Sequence, residues 1–136
     1  MERDSSKLEL LGVENWGKPP FPKYGNLEKT LKGTSPGEPK ILISHDPSHW
    51  KGEVLTHPDI ALTLAGHTHA AQMAFNWYGK QVSPSSWIYK EWDGLYREAD
   101  QFLYITRGLG FIGIPVRIGI ARPEVTLIKL IPAPEK

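Results

Sequence analysis

The chain contains no cysteine among its 136 residues. This absence excludes disulfide bonds, cysteine nucleophiles and thiolate zinc sites, so any metal ion must be held by nitrogen and oxygen ligands. Long apolar runs are also missing, because no stretch approaches the roughly 18 to 20 apolar residues needed to cross a bilayer. The start, MERDSSKLEL, lacks the basic-then-apolar pattern of a signal peptide. We therefore expect the chain as written to be soluble.

A strong net charge is the third absence. The 16 basic and 15 acidic residues leave a formal charge of +1, and no run of lysine or arginine indicates a basic arm. Nucleic acid is therefore not an expected partner. The hydrophobic fraction of 40% is typical of a globular protein, and we predict that residues 1–136 form a single domain.

Apolar, β-branched runs alternate with proline- and glycine-rich connections, which is typical of an α/β fold. KILIS (40–44) and IALTLA (60–65) predict two parallel strands covered on both faces, joined by a short helix or turn. A short helix is predicted over 26–31, with Asn26 as its N-cap. Residues 75–96, rich in tryptophan and tyrosine, are predicted to form a long structured loop. Further strands are predicted at LELLGV (8–13), FLYIT (102–106), VRIGI (116–120) and VTLIKLI (125–131).

Histidines follow both predicted core strands. His45 follows the first strand, and His67 and His69 follow the second after a glycine. Because the carboxyl ends of parallel strands meet at one edge of a sheet, we expect the three imidazoles to converge there. Imidazole nitrogens suit zinc, iron, manganese or copper. A metal site and a set of structural histidines both fit this pattern.

The connection between the two strands holds further polar residues. His49 and His57 have no strand to direct them, and we predict that both are surface or capping residues. Asp46 precedes a proline, so it either begins a turn or orients an imidazole as an outer carboxylate.

The segments ILISHDPSHW (41–50) and LTLAGHTHAAQ (62–72) resemble the last two metal-binding blocks of the calcineurin-like metallophosphoesterases, in particular the YkuE-like, membrane-associated bacterial branch. The later segments GLY, LYITRGLG, PVRIG and RPEVTLIKL resemble the carboxyl-terminal signature of that branch. The resemblance covers roughly residues 8–131. It implies an α/β fold, a sheet-centred sandwich with mixed strands, like the C-terminal half of the four-layer α/β/β/α metallophosphoesterase fold.

The resemblance also implies a chemistry and a ligand set. His45 and His67 would ligate one metal ion and His69 a second. In the family, two divalent ions (manganese, iron or zinc) activate water and stabilise a phosphoryl group. A longer parent protein that contains this chain would then hydrolyse phosphate esters or pyrophosphates, including lipid- or nucleotide-linked ones. It would also be associated with a bacterial membrane.

The family's earlier motifs are absent: no Asp-x-His, Gly-Asp-x-x-Asp or Gly-Asn-His occurs. Those motifs would supply the bridging aspartate, the asparagine ligand and the histidine that acts as general acid. We therefore expect that the chain is the C-terminal part of a phosphoesterase domain and has no catalytic residue of its own. Alone, the chain would be inactive and would bind metal weakly or not at all. Two copies would associate through the surface left by the missing half. Ala70 and Ala71 stand where the branch usually has two glycines.

Two arginines are candidate contacts for phosphate or substrate. Arg107 lies in a glycine-rich turn and Arg117 in the following segment, and guanidinium groups and free backbone amides both suit phosphate. A purely structural turn explains the same glycines equally well, and Arg122 is either a third contact or an ion-paired lead-in to a strand. The aromatic loop would line a substrate pocket, cover the sheet, or contact a partner or membrane surface. The alternative function is therefore a non-catalytic binding module that uses this loop.

Overall fold

The structure is a computed structural model that describes residues 2–3, 6–17 and 19–131. The predicted single domain over 1–136 extends beyond these residues at both ends. The elements are the strands β1 (Glu2–Arg3), β2 (Ser6–Lys7), β3 (Glu9–Gly12), β4 (Lys40–Ile43), β5 (Ile60–Ala65), β6 (Met73–Trp77), β7 (Lys80–Val82), β8 (Gly94–Glu98), β9 (Gln101–Ile105) and β10 (Ile118–Gly119), the helices α1 (Leu27–Leu31) and α2 (Ser48–Gly52), and the 3₁₀ turns Val54–Thr56, His69–Gln72 and Pro84–Trp87.

A five-stranded sheet in the order β3-β4-β5-β9-β8 organises the chain. The first three pairings are parallel and the β8–β9 pairing is antiparallel. The fold is therefore α/β with mixed strands, as predicted, and it contains few helices. The predicted parallel pair over 40–44 and 60–65 is confirmed, because β4 and β5 are neighbours and a short helix lies between them in the chain.

The helices cover one face of this sheet. Leu27 of α1 and Trp50 of α2 pack against the strands, and the core is completed by Leu42, Val54, Ile60, Ala65, Leu103 and Ile105. The predicted helix start is confirmed, since the Asn26 side chain accepts a hydrogen bond from the backbone amide of Lys29 at 2.8 Å. This cap satisfies one of the free amides of a helix too short to be stable without tertiary packing.

The opposite face of the sheet is only partly covered. Residues paired across strands share a face, and one such row runs Gly12, Ile43, Leu64, Tyr104 and Leu95. Ile43 is 50% exposed and Leu95 is 64% exposed. The sheet therefore presents apolar side chains to solvent on the side without helices.

The segment predicted as a long loop contains regular structure. β6 and β7 form an antiparallel hairpin, and β10 joins β6 in parallel to make a second, three-stranded sheet. The hairpin turns at Tyr78 and Gly79, both with positive φ (47° and 77°), as a two-residue turn between twisted strands requires. Tyrosine is rare at such a position, so the sequence lacked the usual turn signal.

The strand predictions near the C-terminal end are largely wrong. The strand expected over 116–120 is reduced to Ile118–Gly119, and residues 125–131 form no strand. Among the described residues no strand edge pairs with this last segment. Leu127 is consequently 96% exposed and Val125 82% exposed. The apolar, β-branched composition of this segment is typical of a strand, but a strand needs a neighbour.

None of the helices in the described part of the chain is long and apolar enough to cross a membrane.

Candidate metal centre

The ends of β4 and β5 bring His45 and His67 together. The hydrogen-bond ladder continues past both strands, since the amide of Ser44 donates to the carbonyl of Leu64 at 2.9 Å and the amide of Gly66 donates to the carbonyl of His45 at 3.1 Å. His67 then adopts a positive φ of 67°, which turns its ring back toward His45. Nε2 of His45 and Nδ1 of His67 lie 3.0 Å apart.

This separation suits two ligands of one metal ion. Two imidazole nitrogens that each lie about 2.1 Å from an ion and at right angles to each other are about 3.0 Å apart. The rings are also perpendicular, with an interplanar angle of 82° and centroids 4.9 Å apart, and in the metal-free pair one of these two nitrogens donates a hydrogen bond to the other. The donor set fits a divalent ion that prefers nitrogen ligands.

The partly buried ring of His67 contacts two aromatic side chains. Its other nitrogen, Nε2, lies 2.8 Å from the hydroxyl of Tyr89, and Phe21 contacts the ring edge-to-face with centroids 5.1 Å apart. Burial lowers the pKa of His67, and the nearby His45 lowers this pKa further. The neutral imidazole, the form that can bind a metal ion, is therefore favoured at neutral pH. Burial also raises the pKa of Tyr89.

His69 faces a different part of the molecule. Its Nδ1 lies 3.4 Å from a guanidinium nitrogen of Arg117, and its Cε1 lies toward Gly110. Burial lowers the pKa of His69, followed by the effect of the Arg117 charge. The structure thus brings two of the three predicted histidines into contact and directs the third elsewhere, and within the described residues no group of three histidine or carboxylate side chains is placed to hold a metal ion.

A run of left-handed backbone shapes the turn after His69. Ala70, Ala71 and Gln72 have φ values of 51°, 47° and 56°. Such values favour glycine because a Cβ atom crowds the backbone there. The two alanines therefore occupy positions whose backbone conformation favours glycine, the residue that the family resembled by this sequence usually has there.

Both candidate phosphate-binding arginines are engaged in the structure. Arg107 forms a two-point ion pair with Asp93, with distances of 2.7 Å from Nε to Oδ1 and 2.6 Å from Nη2 to Oδ2. Hydrogen bonding to Asp93 raises the pKa of Arg107. The guanidinium of Arg117 lies within hydrogen-bonding reach of the carbonyls of Arg107, Gly108, Gly110 and Ala121 as well as facing His69. Their roles as phosphate contacts stay predictions, and Arg122 is exposed.

The connection between β4 and β5 contains a corrected prediction. His49 is not a surface residue: it is fully buried, stacked on Trp16, with Nδ1 2.9 Å from the Ser44 hydroxyl and Nε2 3.2 Å from a Glu53 carboxylate oxygen. Asp46 accepts hydrogen bonds from the amide and hydroxyl of Ser48, the pattern of a turn-initiating aspartate. His57 ends a 3₁₀ turn through its backbone amide, in keeping with a capping position.

Tyr89 and Phe21 are site residues that sequence reasoning missed. Both lie in segments that contain proline and are rich in aromatic residues, without the periodicity that assigns a side chain to a face. The only signal was the density of aromatic residues in the segment that carries Tyr89.

Comparison with curated proteins supports a family assignment. The chain is 40% identical over 111 residues to the bovine "Transmembrane protein with metallophosphoesterase domain", covering 80% of the chain but 23% of that protein. It is 32% identical over 130 residues to "Uncharacterized metallophosphoesterase YkuE" of Bacillus subtilis, covering 93% of the chain and 42% of the relative. It is 29% identical over 129 residues to "Phosphodiesterase YaeI" of Escherichia coli, with the same 42% share of the relative.

The other comparisons add no match: no family model matches the chain, and no solved structure matches it. The chain spans less than half the length of these curated relatives. Its similarity nevertheless runs through both histidine-bearing strand ends and the later segments, because it covers 93% of the chain in the case of YkuE. The chain belongs to the metallophosphoesterases, a family of hydrolases, and corresponds to a part of its longer relatives.

Proposed function

We propose that the chain supplies one side of the metal centre of a dinuclear phosphoesterase, with His45 and His67 as ligands of one ion and His69 as a ligand of the second. The observation that carries this proposal is the 3.0 Å separation between Nε2 of His45 and Nδ1 of His67. Two imidazole nitrogens at this separation suit a divalent ion such as manganese, iron or zinc.

When bound, a pair of divalent ions stabilises the charge on a phosphoryl group and makes water a better nucleophile. The residues of this chain would hold those ions and orient the substrate. Arg117 lies beside His69, and its guanidinium is the better placed of the two candidate phosphate contacts. Arg107 would serve as a contact only if a phosphate competed with Asp93 for its donors.

The chain would be the C-terminal part of a four-layer α/β/β/α domain. The helices cover one face of the five-stranded sheet, whereas the other face exposes Ile43 and Leu95. A second sheet from the remainder of the parent protein would bury this face and pair with the exposed segment 125–131. The parent's remaining sequence would also bring the acidic and asparagine ligands, so the chain alone would be inactive.

Titration calorimetry with Zn²⁺ and with Mn²⁺ tests the ligand assignment. We expect weak binding by the chain, and we expect His45→Ala and His67→Ala each to abolish it. His57→Ala is the matched control, because this histidine lies away from the centre and acts through its backbone. Absence of binding, or binding that survives both substitutions, would contradict the assignment.

A hydrolysis assay tests whether the chain is incomplete. With a chromogenic phosphodiester and Mn²⁺, we expect no multiple turnover by the chain. Turnover that is lost in His67→Ala would show that the missing motifs are unnecessary, and the fragment interpretation would then be wrong.

A second candidate function is a binding module that docks on a membrane surface through the β6–β7 hairpin and the turn after it. Trp77, Tyr78 and Trp87 are 66%, 93% and 86% exposed. No acidic residue occurs between Asp59 and Glu91, whereas Lys80 and Lys90 lie in this stretch. Exposed tryptophan and tyrosine beside lysine suit the boundary of an anionic bilayer.

Sedimentation with lipid vesicles distinguishes the two candidates. Binding to vesicles that contain phosphatidylglycerol should fall several-fold in the double variant Trp77→Ser/Tyr78→Ser and should not change in Leu127→Ser, a control at an exposed apolar residue outside the hairpin. Equal sedimentation of all three proteins would exclude this hairpin as the docking element.

A further inference from the structure

Tyr89 occupies a fixed place beside the histidine pair. It is only 9% exposed and packs with Ala70, Ala74, Trp92 and Ala121 in a second apolar cluster. The backbone amide of Tyr89 donates to the carbonyl of Ser85 at 2.9 Å, which closes the 3₁₀ turn Pro84–Trp87 against it. Its ring is therefore held by both packing and backbone hydrogen bonds.

The segment that carries Tyr89 is tied to the histidine-bearing turn at three points. The Ser83 hydroxyl donates to the carbonyl of Ala70 at 2.7 Å, and the Ser85 hydroxyl donates to the carbonyl of Thr68 at 3.4 Å. In the other direction, the Thr68 hydroxyl donates to the carbonyl of Trp92 at 2.7 Å. These contacts hold the segment that carries Tyr89 against the turn that carries His67.

The hydroxyl of Tyr89 contacts the ring nitrogen of His67 that does not face His45. Oη lies 2.8 Å from Nε2, while Nδ1 faces Nε2 of His45 at 3.0 Å. A neutral imidazole carries one proton, so one nitrogen donates and the other offers a lone pair. Which nitrogen offers the lone pair depends on the partner of the other.

We propose that Tyr89 is a positioning residue for His67: its Oη accepts a hydrogen bond from Nε2–H, so that Nδ1 keeps its lone pair on the side that faces His45. This inference rests on the proposed function, because the position of the His67 lone pair matters only if His67 binds a metal ion. Outer partners that hold the second ring nitrogen of a metal-binding histidine typically contribute 10–100-fold to metal affinity. In this chain a phenol, rather than a carboxylate or carbonyl, fills that place.

The first test reads the tautomer of His67 without any metal. Long-range ¹H–¹⁵N NMR spectra of the metal-free chain should show Nε2 protonated and Nδ1 unprotonated in His67. Tyr89→Phe, which removes only the hydroxyl, should convert this single tautomer into a mixture. Tyr78→Phe is the matched control, because this tyrosine is 93% exposed and should leave the spectrum of His67 unchanged.

The second test measures Zn²⁺ affinity by NMR titration of the same proteins. Tyr89→Phe should bind Zn²⁺ at the histidine pair at least 10-fold more weakly than the wild type, and Tyr78→Phe should bind it equally well. Thermal unfolding of each variant verifies that it is folded, and the wild-type spectrum alone decides the tautomer if Tyr89→Phe does not fold.

The outcomes separate this inference from the proposed function. A wild-type His67 with its proton on Nδ1, or a Tyr89→Phe variant with unchanged tautomer and unchanged Zn²⁺ affinity, would overturn the positioning role. Absence of Zn²⁺ binding in the wild type would instead contradict the metal assignment, and the tautomer would still decide the role of Tyr89.

Discussion

The backbone of the histidine-bearing turn is its most constrained feature at the level of single residues. Five residues of the stretch 67–72 have positive φ, namely His67, His69, Ala70, Ala71 and Gln72. A left-handed conformation costs an L-residue roughly 1–2 kcal/mol. Such strain persists only where surrounding contacts compensate for it, and it commonly accompanies functional sites.

Replacing Ala71 with glycine should stabilise the fold. Ala71 is exposed and has a φ of 47°, so the substitution relieves strain without removing core contacts. Part of the gain is offset by the greater freedom of glycine in the unfolded chain, and we expect the free energy of unfolding to rise by about 0.5–1 kcal/mol. Urea unfolding measures this change.

The control for this prediction is Ala61→Gly in β5, where the backbone is extended. That variant should lose about 0.5–1 kcal/mol. A loss of stability in both variants would show that Ala71 is not strained.

The buried His49 should make stability depend on pH. Burial lowers its pKa below the ordinary value of 6.5, against the opposing effect of Glu53. Between the folded-state pKa and 6.5, the unfolded chain binds more protons, so the free energy of unfolding falls as the pH falls through this range. One such group contributes at most about 1.4 kcal/mol per pH unit.

His49→Gln removes this titration while keeping a side chain that can hydrogen-bond to Ser44. The variant should therefore lose less stability than the wild type between pH 7 and pH 5, as measured by urea unfolding at each pH. His67 and His69 also have lowered pKa values and remain in both proteins, so the difference between the two curves reports His49. Parallel curves would contradict the prediction.

The site residues whose position could be predicted from the sequence are those that directly follow a predicted strand. His45 and His67 each follow a continuous apolar run, and parallel strands place their ends at one edge, so their approach followed from the pattern. His49 could not be placed in this way, because its burial depends on Trp16, which lies far away in the chain. Tyr89 likewise reaches His67 across 22 residues of sequence.

At the level of elements, the sequence predicted those helices and strands that are determined by interactions between residues close together in the chain. The cap at Asn26 and the apolar runs of β4 and β5 each fix their element within a few residues. The segment over 125–131 also has a strand-like composition, but a strand needs a partner, and no strand of the described residues pairs with it. Its failure to pair is thus a property of the surroundings and not of its own residues.

The ion pair between Arg107 and Asp93 joins three segments: the loop after β9, the residue before β8 and, through a hydrogen bond to the carbonyl of Ile120, the segment after β10. Arg107→Lys keeps the charge but loses the two-point geometry. We expect the free energy of unfolding to fall by about 2 kcal/mol, measured by thermal or urea unfolding.

A double-mutant cycle with Asp93→Asn verifies the origin of this loss. If the ion pair is responsible, Asp93→Asn should cost less in the Arg107→Lys background than in the wild type, because the lysine keeps only part of the interaction. Unchanged stability of Arg107→Lys, together with weaker binding of inorganic phosphate, would instead favour the role of Arg107 as a phosphate contact.

For the whole molecule, the face of the sheet without helices dominates the expected behaviour. Leu10, Ile43 and Leu95 are 53%, 50% and 64% exposed on this face, and apolar patches of this kind mark interaction surfaces. We predict that two copies of the chain associate through it, with an average mass in sedimentation velocity that rises with concentration.

Charge substitution tests this association. The double variant Ile43→Lys/Leu95→Lys should remain monomeric at concentrations where the wild type associates, whereas Phe111→Lys, at an exposed residue outside this sheet, should behave like the wild type. A wild type that stays strictly monomeric would contradict the prediction.

The contact between the rings of His45 and His67 joins positions that are 22 residues apart in the chain. A cation held by both rings would act as a reversible cross-link between two neighbouring strand ends, and the denatured chain, in which the rings rarely meet, would gain little from it. The melting temperature would then depend on the concentration of free metal, and a chelator would loosen the same edge of the sheet at which substrate is expected to bind.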